Sequence, residues 1–365
     1  MGENPVEIVD ETARGHHARL ALRDTKRHLR GRALKLAGYV LVAYVVLKLI
    51  PALKGALHSL EHVSVLWLLA AIAIELLSET GFVVAWSAIV DPENLLGHDD
   101  GGRRMDSRVA WTQLAGGLLL PGGSWGGVGV GALILRRFGM SDKVIAERQF
   151  NLSFLNTAVD ALALIVFGVA LALGVLAGEG DLLLTLLPAA LAASGIAAAL
   201  LIAGRASTDA ERLQPGHPKI AVAISTLASA VEDTRRLVFH RGSRRSVLGV
   251  LAYFGLDVLV LWSAFLAVHA HPFPALPVVI MAYIIGALGG SLPLPASAGT
   301  VGGIAGMLVL YGVRHNAAVA AVLLHQAIGL LVPLTGGGIA YTILRRRLGP
   351  MPRNVAVKPT GRRAT

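Results

Sequence analysis

One stretch limits what this chain can become: Gly289 to Gly303, GGSLPLPASAGTVGG, inside a long hydrophobic run from Phe273 to Val313. Two prolines, Pro293 and Pro295, interrupt the run, and glycines at 289, 290, 299, 302 and 303 flank them. A straight helix cannot pass through, because proline lacks the amide hydrogen and its ring clashes with the preceding turn. The stretch carries no charge, so it does not read as an ordinary water-exposed loop. Non-helical backbone at membrane depth survives only where protein or a water-filled cavity satisfies it. The reading is helix, break, helix: a hairpin that dips into a bilayer and leaves on the side it entered. A second break, Leu118 to Gly131 (LLLPGGSWGGVGVG), looks like its counterpart.

The rest of the chain agrees with a membrane setting. It is 54% hydrophobic and 15% charged, with mean hydropathy +0.64. Several apolar stretches reach the ~20 residues needed to cross a bilayer. Full spans are expected at Leu36–Ile50, Val65–Val90, Lys143–Gly178, Leu182–Gly204, Val247–His269 and Ala317–Leu344, with the broken hairpins at 109–137 and 273–313. The N-terminus, residues 1–35, is polar and basic and lacks the pattern of a secretory signal. It reads equally as a surface-lying amphipathic helix or a frayed basic tail. Residues 205–245 form a basic connector with helical periodicity over 220–239, and residues 346–365 a basic tail. With no cysteine, disulfides and thiolate chemistry are excluded.

Charge placement fixes the expected topology. Thirty of the 33 Lys and Arg lie in segments 1–35, 91–108, 136–148, 205–245 and 345–365; Lys48, Lys54 and Arg314 are the exceptions. If both broken stretches return to the side they came from, all thirty fall on one face, which the positive-inside rule makes cytoplasmic. The expected fold class is therefore an all-α polytopic membrane protein of about six full spans plus two re-entrant helical hairpins entering from opposite sides. Both termini are cytoplasmic in this scheme, in the cell membrane. Opposed broken helices related as an inverted repeat are a transporter device.

Two groups of residues are candidates for chemistry. Each hairpin's second half starts a helix whose free amides and partial positive charge suit an anion. The first offers Pro121, Gly122, Gly123 and Ser124; the second Pro295, Ser297, Gly299 and Thr300. The glycines equally serve close helix packing, since Gly122/Gly126 and Gly299/Gly303 have small-xxx-small spacing. The second group is Glu75, Glu79, Asp160 and Asp257, all within expected spans, where a charged carboxylate costs about 2.5–3.5 kcal/mol or more. Only His325 is a basic residue at similar depth, so the acids outnumber their partners. They could line a wet cavity, bind a cation, or hydrogen-bond a neighbouring helix as neutral acids. No nucleotide loop, zinc-hydrolase motif, serine-nucleophile elbow or paired His/Asp cluster stands out, so the chain is not expected to be an enzyme or to need a cofactor or metal.

At its two breaks the chain resembles the lysylphosphatidylglycerol synthase transmembrane-region family, also called flippase-like. Those residues are Pro293-Leu-Pro295-Ala-Ser-Ala-Gly299 followed by Tyr311-Gly312-Val313, and Leu120-Pro121-Gly122-Gly123 followed by Gly139-Met140-Ser141. The resemblance covers roughly residues 35–345 and implies a stand-alone member without the synthase domain, moving a phospholipid or lipid-linked substrate across the membrane. The chain departs from many relatives in having no acid from Thr300 to Gly303 and in carrying His325 about where an arginine is usual. Two other readings stay open: a proton-coupled transporter of a small solute, and a non-transporting membrane partner of a separate synthase or glycosyltransferase. Homo-oligomerisation is compatible with each, and nucleic acid is not an expected partner.

Overall fold

The computed structural model describes residues 63–97, 105–120, 124–178, 181–209, 244–288 and 298–348. The expected first span at 36–50, the terminal segments 1–35 and 349–365, and the connector helix at 220–239 lie outside these residues. The described residues form nine helices and no strand: α1 Val65–Val90, α2 Met105–Leu119, α3 Ser124–Arg137, α4 Asp142–Ala172, α5 Leu182–Asp209, α6 Arg244–Ala267, α7 Leu276–Ala287, α8 Ala298–Leu310 and α9 His315–Leu348.

Length divides them into two classes. α1, α4, α5, α6 and α9 are each long and apolar enough to cross a membrane. α2, α3, α7 and α8 have 15, 14, 12 and 13 residues. At 1.5 Å per residue these are about 18–22 Å long, short of the ~30 Å hydrocarbon layer. The chain is thus a multi-pass membrane protein with two pairs of short helices, and the pairs occur at the two proline–glycine breaks.

Local chemistry sets the boundaries. α1 ends at Asp91, whose carboxylate accepts the Leu95 and Leu96 amides at 2.7 and 3.1 Å and starts the following turn. α4 starts behind Ser141, whose hydroxyl accepts from the Val144 amide, with Asp142 in its first turn. That acid suits the positive end of the helix. Gly139 takes φ +85°, the left-handed turn between α3 and α4. Two prolines, Pro188 in α5 and Pro333 in α9, sit inside continuous helices. The last described helix, His315–Leu348, extends a little beyond the expected 317–344 at both ends.

α1 and α6 share the most extensive interface and run antiparallel. The Ser64 amide donates to Ala267 O at 2.9 Å at one end, and Ser78 Oγ to Tyr253 O at 2.8 Å further along. Gly81 and Gly249 then bring the backbones together: a Cβ on Gly249 would lie 2.7 Å from Ala85 N and 2.8 Å from Gly81 O. α2 and α3 fold back on each other, Gly127 lying against Gln113 and Gly117 while Gly131 faces the Gln113 side chain. α7 and α8 likewise pack together, touching at Gly286 and Gly303.

The two short pairs open toward opposite ends of the bundle. Met105 and Leu135, at the free ends of α2 and α3, share one apolar cluster with Ile89, Ile145, Val250 and Leu344, the end of α1, the starts of α4 and α6 and the end of α9. Arg148 ties the same end together, donating to Val90 O and Glu93 at 3.0 Å each. At the other end, Trp262 near the end of α6 donates to Pro274 O just before α7, and Tyr311 after α8 donates to Leu184 O at the start of α5.

Helix contacts also map onto themselves when α1–α4 are exchanged with α6–α9. The α1–α6 interface maps to itself. α2–α3 maps to α7–α8, α1–α2 to α6–α7, α1–α4 to α6–α9, α3–α4 to α8–α9, α2–α9 to α7–α4, and α1–α9 to α6–α4. The α4–α5 contact has no counterpart among the described residues.

Candidate substrate site

Glu75 and Glu79 sit one turn apart on α1, at 4% and 3% exposure. The antiparallel register of α1 and α6 decides what faces them. Ser78 meets Tyr253, so Asp257, one turn further along α6, is level with Glu75. His325 of α9 reaches the same point: its Nε2 is 2.9 Å from Asp257 Oδ1. Tyr283 of α7 donates its hydroxyl to Asp257 Oδ2 and presents its ring edge-on to the imidazole at 5.9 Å. Both oxygens of Asp257 are therefore occupied. No paired His/Asp cluster was expected from local spacing, because the partners stand 68 residues apart on different helices; the structure corrects that expectation.

Glu75 lies against α9 as well, for a Cβ on Gly329, one turn after His325, would be 3.6 Å from Glu75 Oε1. Glu75 is close enough to feel the charges of Asp257 and His325, and Glu79 those of Glu75 and Asp257. Asp160 enters from α4, half-buried and within electrostatic reach of Asp257. Four carboxyls and one imidazole thus share one interior region, contributed by α1, α4, α6 and α9, with a phenol from α7.

Three buried atoms of this group have no hydrogen-bond partner: Glu75 Oε2, Glu79 Oε2 and His325 Nδ1. Leaving such atoms bare in a low-dielectric interior is costly. To bond the Asp257 carboxylate, His325 must carry its proton on Nε2. Nδ1 then offers a lone pair unless a second proton sits there. With the glutamates ionised and Nδ1 bare, the open valences are those of acceptors, and the site then suits a donor: an ammonium group, another cation with hydrogens to give, water, or a proton. Among the described residues no group of His, Asp and Glu is arranged to hold a metal ion.

The hairpin residues stand differently. Pro121, Gly122, Gly123, Pro295 and Ser297 lie outside the described residues. Ser124 is exposed at the start of α3, beside Trp125 at 69% exposure. Gly299 is buried and Thr300 half-buried in the first turn of α8. Among the described residues α3 and α8 share no extensive interface, and no hydrogen bond joins Ser124 or Thr300 to the carboxylate group. The structure therefore gathers Glu75, Glu79, Asp257 and His325, with Asp160 at the edge, and leaves the half-helix starts apart from them.

Sequence reasoning did not single out Tyr253 or Tyr283. The usable signal was a phenol inside a wholly apolar 12-residue helix, since a buried tyrosine hydroxyl needs a partner. It also missed a buried amide network beside the first hairpin. Trp86 Nε1 donates to Gln113 Oε1 at 2.9 Å, and the Gln113 and Gln149 amides bond each other in both directions at 2.9 Å. This network joins α1, α2 and α4 by satisfied polar groups, in contrast to the open group around Asp257.

A search of curated proteins returns no match. The family described as the lysylphosphatidylglycerol synthase TM region matches residues 34–337, which include all of α1 to α8 and most of α9. With most of its length covered by that match, the chain belongs to the lysylphosphatidylglycerol synthase transmembrane-region family.

Proposed function

We propose that this protein moves a phospholipid or lipid-linked substrate across the cytoplasmic membrane, its head passing the Glu75–Glu79–Asp257–His325 group while its acyl chains stay in the bilayer. The observation that carries the reading is the set of unpartnered buried atoms, Glu75 Oε2, Glu79 Oε2 and His325 Nδ1, where helices from both halves of the chain meet; they accept hydrogen bonds when the glutamates are ionised and Nδ1 is bare. The family is named for a lipid whose lysyl head is a cation with ammonium donors, and such a head complements that set. A phosphate would be held at the starts of α3 and α8, near Ser124 and Ser297–Thr300, by free amides.

In this reading α2–α3 and α7–α8 are re-entrant hairpins from opposite leaflets. Their shortness, their opposite openings and the exchange-related helix contacts support it. An exchange axis between antiparallel α1 and α6 runs across them, which is the relation inverted repeats require. The transmembrane domain then covers 36–345, between a basic cytoplasmic segment at 1–35 and a basic tail at 346–365, with 205–245 as a cytoplasmic connector. The protein acts as a translocator, without catalysis of its own.

The test is reconstitution of the full chain in liposomes with headgroup-labelled lysylphosphatidylglycerol or phosphatidylglycerol, following exposure of the label to a membrane-impermeant quencher. Glu79→Gln and Asp257→Asn are expected to slow movement of the cationic lipid by at least about tenfold, the effect of ~1.4 kcal/mol. Unchanged rates in folded variants would refute the assignment. A second reading has its own support in the His325–Asp257 pair, which could carry a proton in exchange for a small solute. Uptake of a soluble solute driven by a pH gradient, with no lipid movement, would favour it.

A further inference from the structure

Charge is unbalanced inside the bundle. Asp257 has both oxygens occupied, by His325 and Tyr283, and Asp160 is half-buried at the edge. Glu75 and Glu79 remain, at 4% and 3% exposure, each with Oε2 unpartnered. One helical turn puts their Cβ atoms about 5–6 Å apart. Among the described residues no base is left for them. The helices around the pair, α1, α4, α6, α7 and α9, carry Lys and Arg only near their ends, and His325 is engaged with Asp257. The other titratable groups facing the pair are Tyr253 and Asp257 from α6, Asp160 from α4 at the edge, and Tyr283 from α7 through Asp257. α2 also packs on α1, but its charged residues Asp106 and Arg108 precede Gln113, which meets Trp86 two turns beyond Glu79.

Two buried carboxyls this close do not both stay ionised without a counter-charge; a buried carboxyl left alone takes a proton instead. A cation that enters supplies the counter-charge in the proton's place. Space adjoins the pair for one. Gly329 of α9 faces Glu75, and beyond its own helix a Cβ there would meet only Glu75 Oε1 within 4 Å, at 3.6 Å. No side chain of α9 covers the carboxyl at that point.

We propose that the protein is a proton exchanger, in which the Glu75–Glu79 pair holds a proton when no head is bound and gives it up to a primary ammonium head. One carboxyl O–H bond breaks, the proton leaves to water, and the carboxylate accepts an N–H of the ammonium. One positive charge enters as one leaves, so the net charge of the site is unchanged. A head carried one way is balanced by a proton carried back, and a pH difference across the membrane drives the cycle. The inference rests on the translocation reading and adds its driving force.

The experiment has two arms. In the first, the full chain in a non-ionic detergent is titrated with dihexanoyl-lysylphosphatidylglycerol in weakly buffered solution at about pH 6, where both amines of the lysyl head are charged, and a pH indicator counts protons. We expect about one proton released per head bound and affinity rising about tenfold per pH unit. Release should vanish in Glu75→Gln/Glu79→Gln, or in Glu75→Met/Glu79→Met if the first does not fold by thermal unfolding, and should be absent with dihexanoylphosphatidylglycerol. In the second arm, liposomes holding the full chain and lysylphosphatidylglycerol are given a pH difference of about one unit, and a membrane-impermeant amine reagent reads the outer leaflet. Relative to protein-free liposomes, heads should gather about tenfold in the leaflet facing the acid side, and a protonophore should abolish the effect. Heads that bind and move without proton release or response to the gradient would overturn the exchange and leave translocation standing. No binding and no movement would overturn both. Release unchanged in a folded double variant would overturn its assignment to this pair.

Discussion

Replacing His325 by alanine tests the interior site most directly. The imidazole stands 2.9 Å from Asp257 Oδ1, and both partners are within a region that also holds Glu75 and Glu79. Opposite unit charges with centres ~4 Å apart are worth about 4 kcal/mol at an effective dielectric constant of 20. Removing one partner of a buried pair costs about 3–5 kcal/mol, because the other is left uncompensated. Tyr283 still donates to Asp257 Oδ2, which places the expected loss for His325→Ala near the lower end, about 3 kcal/mol. Asp257→Asn alone should cost less, since its amide can still accept from Tyr283. The double variant removes the charge together with its partner and should recover most of the loss. Its coupling energy should reach about 2 kcal/mol, well above the ~0.5 kcal/mol of independent sites. Thermal and denaturant unfolding of the full chain in micelles would measure all four corners. Additivity within ~0.5 kcal/mol would refute the claim that the pair is a buried, mutually dependent unit.

Two further outcomes follow from packing. At the α1–α6 crossing, Gly249→Leu forces a side chain onto Ala85 N and Gly81 O and should destabilise by about 1–3 kcal/mol or more; Gly255→Ala, with nothing within 4 Å of its Cβ, should be neutral or mildly stabilising in the same unfolding assay. Gln113→Met strands Trp86 Nε1 and the Gln149 amide at about 1–3 kcal/mol each, and adding Gln149→Met should cost little beyond the first change.

The breaks were legible because proline and glycine act locally. α3 and α8 begin within three residues of Pro121 and Pro295. The carboxylates were legible as isolated charges in apolar runs. Pro188 and Pro333 lie inside the expected spans 182–204 and 317–344, and each sits within a helix that continues through it, since neighbouring helices can re-satisfy a freed carbonyl in a membrane bundle. What sequence could not supply was convergence. That Asp257 meets His325 and Tyr283, while Asp160 stays at the edge, depends on how five helices cross, and no spacing within one helix encodes it. Tyr283 and the Gln113–Gln149 pair were invisible for the same reason: each is polar only by virtue of a partner on a distant segment.

The His325–Asp257 bond also sets an order on biogenesis. Glu75 and Glu79 emerge from the ribosome about 250 residues before the imidazole, a delay of roughly 12–50 s at 5–20 residues per second. Through that interval the two acids of α1 wait for the imidazole of α9, so insertion of α9 is the step that closes this site. A nascent chain stalled before α9 would expose an incomplete acidic interior to quality-control proteases, whatever the state of the helices before it.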